Sequence, residues 1–357
     1  MRKISLRIIP GDGIGVEVMR ECMRIVPVLG EIHGGVSFAV QGHDWGCGYF
    51  LRHGSMMPAD GLTILSDCDA ILLGAVGFPG VPDHVSLQGL LLPIRQGFDQ
   101  YVNLRPVRLL EGLASPLRIA SRHDIDFVVI RENSEGEYCG KGAFLNEGTP
   151  DETAVQEARF TRTGVGRIIR YAFEYAVSHG RTGLVSATKS NALNYSMVFW
   201  DRIFEEIRPS YPAIASRSMH VDALAGLMIM RPSALEVVVA SNLFGDILTD
   251  LGSAMLGSIG ISPSANINPE RRFPSMFEPV HGSAPDIAGA GIANPVGMIW
   301  SMVLMLEHLD LAEAASLLMK ALESVLAAGR VRTPDMGGTG TTGEVVDEVC
   351  RALRSGH

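Results

Sequence analysis

Short apolar runs alternating with helix-period segments constrain this chain most. Residues 5–9 form the first run, which ends at the turn Pro10-Gly11-Asp12-Gly13. Beyond that turn Met19, Cys22, Met23, Val26 and Leu29 recur three or four residues apart, the spacing of a buried helical stripe. The pattern returns with a helix expected at residues 61–65 and a strand at Ala70–Leu73. Further strands are expected at residues 127–130, 184–186 and 237–240, and further helices at residues 164–178 and 311–328. Strands alternating with helices give an α/β class. A chain of 357 residues has room for two domains, although no flexible polar stretch separates its halves.

Charge and cysteine usage narrow the partners. A net charge of -9 leaves no basic field to hold a phosphate backbone, so nucleic acid is not expected as a partner. Cys22, Cys47, Cys68, Cys139 and Cys350 are odd in number, widely spaced and without a C-x-x-C pair. Neither a disulfide framework nor a zinc site is indicated, and a reducing cytoplasm is the expected compartment. The apolar run after Met1-Arg2-Lys3 is too short for a signal-peptide core. The longest uncharged stretch, residues 287–306, is broken by Gly289, Gly291, Asn294 and Pro295. About a dozen apolar residues remain of the ~20 a membrane span needs, so a buried helix is expected and no membrane partner.

Several motifs can carry chemistry. Gly11-Asp12-Gly13-Ile14-Gly15 follows a strand and opens a helix, but its spacing departs from the dinucleotide fingerprint, and Asp12 stands where a pyrophosphate would sit. A tight turn or a different nucleotide contact remains. In Asn242-Leu243-Phe244-Gly245-Asp246-Ile247-Leu248-Thr249-Asp250, Asn242 suits an N-cap, and Asp246 and Asp250 share one helical face. Burial of that pair would call for a cation, because two carboxylates ~6 Å apart repel by roughly 3 kcal/mol at an effective dielectric of 20. Asp222, amid apolar residues, is a third carboxylate suited to Mg²⁺ or Mn²⁺, or else a helix cap. Arg95, Arg105 and Arg131 stand at element ends, where guanidinium forks bind small polycarboxylates. Tyr138 ends a polar loop and can donate a proton, while Lys189 ends a strand and can serve as a base. Glu278 leads into His281-Gly282-Ser283-Ala284-Pro285-Asp286 and on to Asn294, where small residues admit a flat ligand. Asp286 can accept from a ribose diol and repel a 2′-phosphate, which favours NAD over NADP.

Taken together, these residues resemble the metal-dependent β-decarboxylating dehydrogenases, the family of isopropylmalate, isocitrate, homoisocitrate and tartrate/D-malate dehydrogenases. The resemblance runs from about residue 4 to residue 352. Pro82-Asp83-His84-Val85-Ser86-Leu87, Phe98-Asp99-Gln100-Tyr101-Val102-Asn103 and Ser186-Ala187-Thr188-Lys189-Ser190-Asn191 look most like the tartrate/D-malate branch, as does Ser264-Ala265-Asn266-Ile267-Asn268-Pro269-Glu270-Arg271. It implies that family's two-domain α/β fold, not a Rossmann fold, with residues 1–99 and 257–357 forming a large cofactor-binding domain. Residues 100–256 would form a small domain carrying the dimer contact and the metal-site residues. It further implies that Arg95, Arg105, Arg131, Ser86, Leu90 and Leu91 bind substrate, that Asp222, Asp246 and Asp250 surround Mg²⁺ or Mn²⁺, and that Tyr138 and Lys189 are the acid and base. Ile14, Glu278, His281, Gly282, Ser283, Ala284, Pro285, Asp286 and Asn294 would hold NAD. A homodimer with shared sites is implied, with Lys189 and Asp222 coming from the neighbouring subunit; K⁺ is left open as an accessory ion. The activity implied is NAD-dependent oxidative decarboxylation of a D-malate- or tartrate-like 2-hydroxy dicarboxylate, with 3-isopropylmalate or another substituted malate as the alternative. Leu87 replaces the glutamate of the isopropylmalate branch, and Gln88 a tryptophan of the tartrate/D-malate branch, so pocket size and polarity are expected to differ there.

Overall fold

A computed structural model describes residues 2–118 and 121–356. In chain order the strands are β1 (Arg2–Ile9), β2 (Val36–Gly42), β3 (Ala70–Leu73), β4 (Val102–Arg108), β5 (Asp126–Glu132) and β6 (Gly142–Leu145). There follow β7 (Thr153–Gln156), β8 (Gly183–Thr188), β9 (Ala215–His220), β10 (Val237–Ala240), β11 (Pro263–Ile267) and β12 (Ser275–Pro279). β6 and β7 pair only with each other, and the other ten form one sheet in the order β2-β1-β3-β12-β11-β4-β5-β10-β8-β9. The fold is mixed α/β with a large open sheet, as expected, and it is not a closed barrel.

Both flanks of the sheet are parallel, but β11 runs antiparallel to β12 and β4, and β4 antiparallel to β5. Three successive reversals leave the two parallel flanks pointing in opposite directions. Strand ends from both flanks can therefore approach the centre from opposite ends. Two prolines fix where the central pairing stops. The β11–β4 ladder covers only Ala265↔Leu104, Asn266↔Asn103 and Ile267↔Val102; one pair beyond Ser264 and Arg105, Pro263 would face Pro106, and neither has an N–H to give.

The central strands divide sharply by face. Phe277, Ala265, Leu104 and Ile130 enter the main core. The opposite face carries Glu278, Ser264, Asn266, Asn103, Arg105 and Arg131, all buried, since directly opposed residues and those two apart share a side. Asn266 is the knot of this stripe. Its Oδ1 accepts from Asn103 Nδ2 at 3.0 Å and Asn133 Nδ2 at 2.9 Å, and its Nδ2 donates to Glu278 Oε1 at 2.8 Å. Buried amides need such partners, and here the chain of donors ends on a carboxylate.

Helix expectations hold with adjusted bounds. The stripe from Met19 to Leu29 is split into Ile14–Cys22 and Ile25–His33, because Pro27 cannot donate to the carbonyl of Met23 and its ring clashes there. The uncharged stretch 287–306 becomes helical only at Val296–His308, which starts after Pro295 and is buried on nearly every side. Among the described residues no helix is long and apolar enough to cross a membrane.

Candidate active site

The helix Asn242–Met255 follows β10 directly and is capped by Ser241, whose hydroxyl accepts from Phe244 N. Asn242, expected as the cap, sits one position inside the helix, which frees its side chain: Oδ1 accepts from Arg131 Nε at 3.1 Å and Nη2 at 2.8 Å. One turn on, Asp246 Oδ1 accepts from Arg131 Nη1 and from Arg105 Nη1, the latter at 3.2 Å. Asp246 Oδ2 accepts from the Tyr138 hydroxyl at 3.0 Å. Arg105 Nη1 also donates to Thr249 Oγ1 at 2.7 Å. Arg95 donates from Nη2 to Glu278 Oε1 at 2.7 Å, an ion pair with both partners buried.

Arg95, Arg105, Arg131, Tyr138, Asp246 and Glu278 line one cavity of about 540 Å³. Its electrostatics are lopsided. Arg131 is held down to about 10 by burial and then by the like charge of Arg105, and burial likewise lowers Arg105. Burial alone would raise Asp246, yet Arg131 and Arg105 hold its carboxyl below the ordinary range. Tyr138 is pushed up to about 12 by burial and by Asp246, so its proton stays on at neutral pH. Three guanidiniums face two bonded carboxylates here, an arrangement that an anionic ligand with two carboxylates would complete.

The fit to a divalent cation is partial within one chain. Asp246 and Asp250 lie four apart on the helix, and burial followed by Asp246 raises the Asp250 carboxyl. A cation between the two would relieve that repulsion. Asp222 lies elsewhere, in the first turn of the helix Val221–Met230, with its side chain 66% exposed. Lys189 Nζ donates to Asp222 Oδ1 at 2.7 Å and holds that carboxyl below its usual value. Neither residue lines the cavity. Among the described residues no three His, Cys, Asp or Glu side chains gather closely enough to hold a metal ion.

A second cavity of about 630 Å³ adjoins the first and shares Val76, Asp83 and Gly282 with it; its walls are residues 76–83 on one side and Gly282, Ser283 and Pro285 on the other. His281 is buried at the junction, kept neutral by burial, and its Nε2 has no hydrogen-bond partner. That orphaned polar atom and the glycine-lined walls suit a nucleotide. Asp286 is exposed and Ala284 half-buried in the same loop. Asn294 is buried and spends its amide internally, donating to Asp335 Oδ2 at 2.8 Å and accepting from Val296 N at 3.0 Å. Ile14 is buried in the main core and lines neither cavity.

The Gly11–Gly15 turn is a clamp between loops. Asp12 N donates to Ala75 O at 2.7 Å and Ile14 N to Ser283 O at 2.9 Å, so amides that a phosphate would need are already used. Gly13 has φ 53°, and an added Cβ would lie 2.1 Å from Ser283 O. Asp12 turns its carboxylate inward to accept from Cys47 N and Gly77 N, both at 3.0 Å.

On the substrate side Ser86, Leu87 and Leu91 line the first cavity with Asp83 and His84. Leu90 is fully buried in the second apolar cluster instead, so of the two leucines only Leu91 faces the cleft. Gln88 is exposed and outside the lining, so the glutamine there does not set pocket polarity. Sequence reading gave no role to Thr249, Asn266, Asn103 and Asp335. The available signal was amides inside apolar strand segments, as in Val102-Asn103-Leu104 and Ala265-Asn266-Ile267.

Residues 5–349 match the family described as isocitrate/isopropylmalate dehydrogenase. The chain is 50% identical to a probable tartrate dehydrogenase/decarboxylase of Bacillus subtilis (strain 168), covering 99% of each chain. It is 51% identical to a decarboxylating D-malate dehydrogenase of Escherichia coli (strain K12), again over 99% of each. Among solved structures, the isocitrate dehydrogenase of Methylococcus capsulatus superposes with a TM-score of 0.87 at 32% identity, covering 99% of this chain and 100% of that one.

Proposed function

The chain belongs to the isocitrate/isopropylmalate dehydrogenase family, and from that premise we propose that it oxidises and decarboxylates a small 2-hydroxy dicarboxylate of the D-malate or tartrate kind. One observation carries the reading. Three buried arginines and a carboxylate-bearing helix meet in one cavity of about 540 Å³, a size and charge suited to a short dicarboxylate. Similarity to D-malate and tartrate enzymes supports the same choice.

In this reading Arg95, Arg105 and Arg131 hold the two substrate carboxylates. Asp246 and Asp250, joined by Asp222 from a second copy, would hold Mg²⁺ or Mn²⁺, and His281, Gly282, Ser283, Pro285 and Asp286 would hold NAD. When bound, NAD would supply a hydride acceptor for the hydroxyl-bearing carbon, and the metal would supply a Lewis acid for the charge that develops during the reaction. Lys189 of a second copy takes the hydroxyl proton. Loss of carbon dioxide then leaves an enolate, and Tyr138 returns a proton to the carbon that lost its carboxylate.

A second copy is part of the proposal, because Lys189 and Asp222 stand outside the cavity on a face with exposed Tyr195, Ile229 and Met230. Apolar surface of that kind favours burial against a partner. All five cysteines are free, which supports a cytoplasmic placement. The sheet strands β2, β1, β3, β12 and β11 come from residues 1–99 and 257–357 and the rest from 100–256, which supports the division into two domains. The reading is tested by following nicotinamide reduction with D-malate, tartrate and 3-isopropylmalate in the presence of Mn²⁺. Turnover with D-malate or tartrate is expected. A marked preference for 3-isopropylmalate would move the chain to the substituted-malate branch.

A further inference from the structure

The loop from Glu132 to Tyr138 holds three carboxylates that touch nothing in the substrate cavity. Glu132 accepts from Ser134 N at 3.0 Å and Glu135 N at 2.9 Å within its own loop. Glu135 accepts from Thr161 N and Thr161 Oγ1, both at 2.8 Å, at the start of the helix Arg162–Ser178. Glu137 differs from both, because it reaches the helix that carries Asp246. Its Oε1 accepts from Ser241 Oγ at 2.7 Å and its Oε2 from Leu243 N at 3.1 Å. A first-turn amide and the capping hydroxyl are thereby satisfied, and the carboxylate sits at the favourable end of the helix dipole.

The next residue is Tyr138. Its hydroxyl meets Asp246 Oδ2 at 3.0 Å and its ring lies 5.6 Å from the Arg131 guanidinium. The loop that carries the phenol is thus tied to one helix at three points, through the Tyr138 hydroxyl, through the Glu137 carboxylate and through the Glu135 carbonyl, which accepts from Asn242 Nδ2 at 3.0 Å. Of these the Tyr138 bond alone is given up in the reaction, and the Glu137 carboxylate is the remaining tie nearest the phenol. To give its proton to carbon, the hydroxyl must turn away from Asp246, and the Glu137 bonds then remain to hold the adjoining backbone on the helix.

We propose that Glu137 is a positioning residue for proton delivery: it locks Tyr138 to the helix of Asp246 while the phenol is released from that carboxylate. This rests on the reading of Tyr138 as the proton donor. Because Glu137 contacts neither cavity, its influence falls on the return of the proton after carbon dioxide has left, and substrate affinity stays nearly untouched.

The test compares Glu137→Ala, Glu137→Gln, Tyr138→Phe and the double variant Glu137→Ala/Tyr138→Phe in the metal-loaded enzyme. Nicotinamide reduction, carbon dioxide release and formation of the protonated keto acid are measured within one turnover on D-malate, together with KM. For Glu137→Ala, formation of the protonated keto acid should slow roughly 10–100-fold, the range expected of an ångström-scale misplacement, with KM within about 3-fold. Glu137→Gln keeps an acceptor oxygen and should recover most of the rate. The double variant should be no slower than Tyr138→Phe alone, since the two residues act as one unit. Equal slowing of reduction and keto-acid formation, multiplying losses in the double variant, or a Gln variant as slow as Ala would overturn the role. A slow Tyr138→Phe beside a normal Glu137→Ala overturns the positioning role alone. An unimpaired Tyr138→Phe removes the proton-donor reading, and the role of Glu137 with it.

Discussion

Gly245 lies between the two elements that build the site, and replacing it with alanine sets two effects of opposite sign against each other. In an exposed helix the change would stabilise by up to about 1 kcal/mol, because glycine is the poorer helix former. Here the new Cβ would stand 2.6 Å from both Cβ and Cγ of Arg131 and 3.1 Å from its Cδ. Ordinary carbon contacts are about 3.5–4.0 Å, so the shortfall is roughly 1 Å. Arg131 cannot swing clear, because the atoms struck are the root of a side chain that is 2% exposed and fixed to β5. The helix and the strand must part instead. Overpacking of this kind costs about 1–3 kcal/mol, which outweighs the propensity gain. The same displacement moves Arg131 relative to Asp246 and to the substrate carboxylate. Gly245→Ala should therefore lower Tm by a few degrees and reduce kcat/KM for the dicarboxylate by ~10–100-fold. Thermal unfolding and steady-state kinetics on the same preparation check both. A variant with raised Tm and kcat/KM within about 2-fold of the parent would refute the claim that contact between this helix and Arg131 sets the geometry.

Subunit sharing predicts complementation. Tyr138→Phe and Lys189→Ala chains, each strongly impaired in steady-state turnover alone, should recover about a quarter of the parent activity when co-refolded in equal amounts, because half the dimers then carry one intact site; no recovery would place Lys189 outside a shared site. Stability should also depend on His308, which burial, followed by the charge of Arg271, holds down at about 4. A free histidine titrates near 6.5, so the unfolded chain binds the proton first, and stability is lost as pH falls from about 6.5 toward about 4. Between about pH 7 and about pH 5 this contributes a loss of roughly 2 kcal/mol. In urea melts at those two values, His308→Gln should lose less than the parent by that amount, and equal losses would rule it out.

The fold was legible where burial is purely apolar. Ala70–Leu73, residues 127–130 and Val237–Ala240 are unbroken apolar runs, and each is a strand of the sheet. The central strands β4, β11 and β12 were not legible, because Asn103, Arg105, Ser264, Asn266 and Glu278 interrupt the pattern at buried positions. Those interruptions are the face of the site itself, so the chemistry hid the strands that carry it. Asp246 and Asp250 could be found from their helical spacing, which is local. Asp246's links to Arg105 and Tyr138 cross more than a hundred residues, and no spacing rule reaches that far. Asp222 shows the opposite limit. Its residue type pointed to metal, while the structure places it on an exposed face beside Lys189, outside the cavity.

The claim beneath all of this is that the cavity of Arg95, Arg105, Arg131 and Asp246 removes both a hydride and a carboxylate from one small diacid. The direct measurement is the stoichiometry of reduced nicotinamide to carbon dioxide formed from D-malate with Mn²⁺, repeated after chelation and with Asp246→Asn. One-to-one formation that disappears in both controls is the predicted result. Reduction without carbon dioxide, or turnover undiminished by the chelator or by Asp246→Asn, would contradict it.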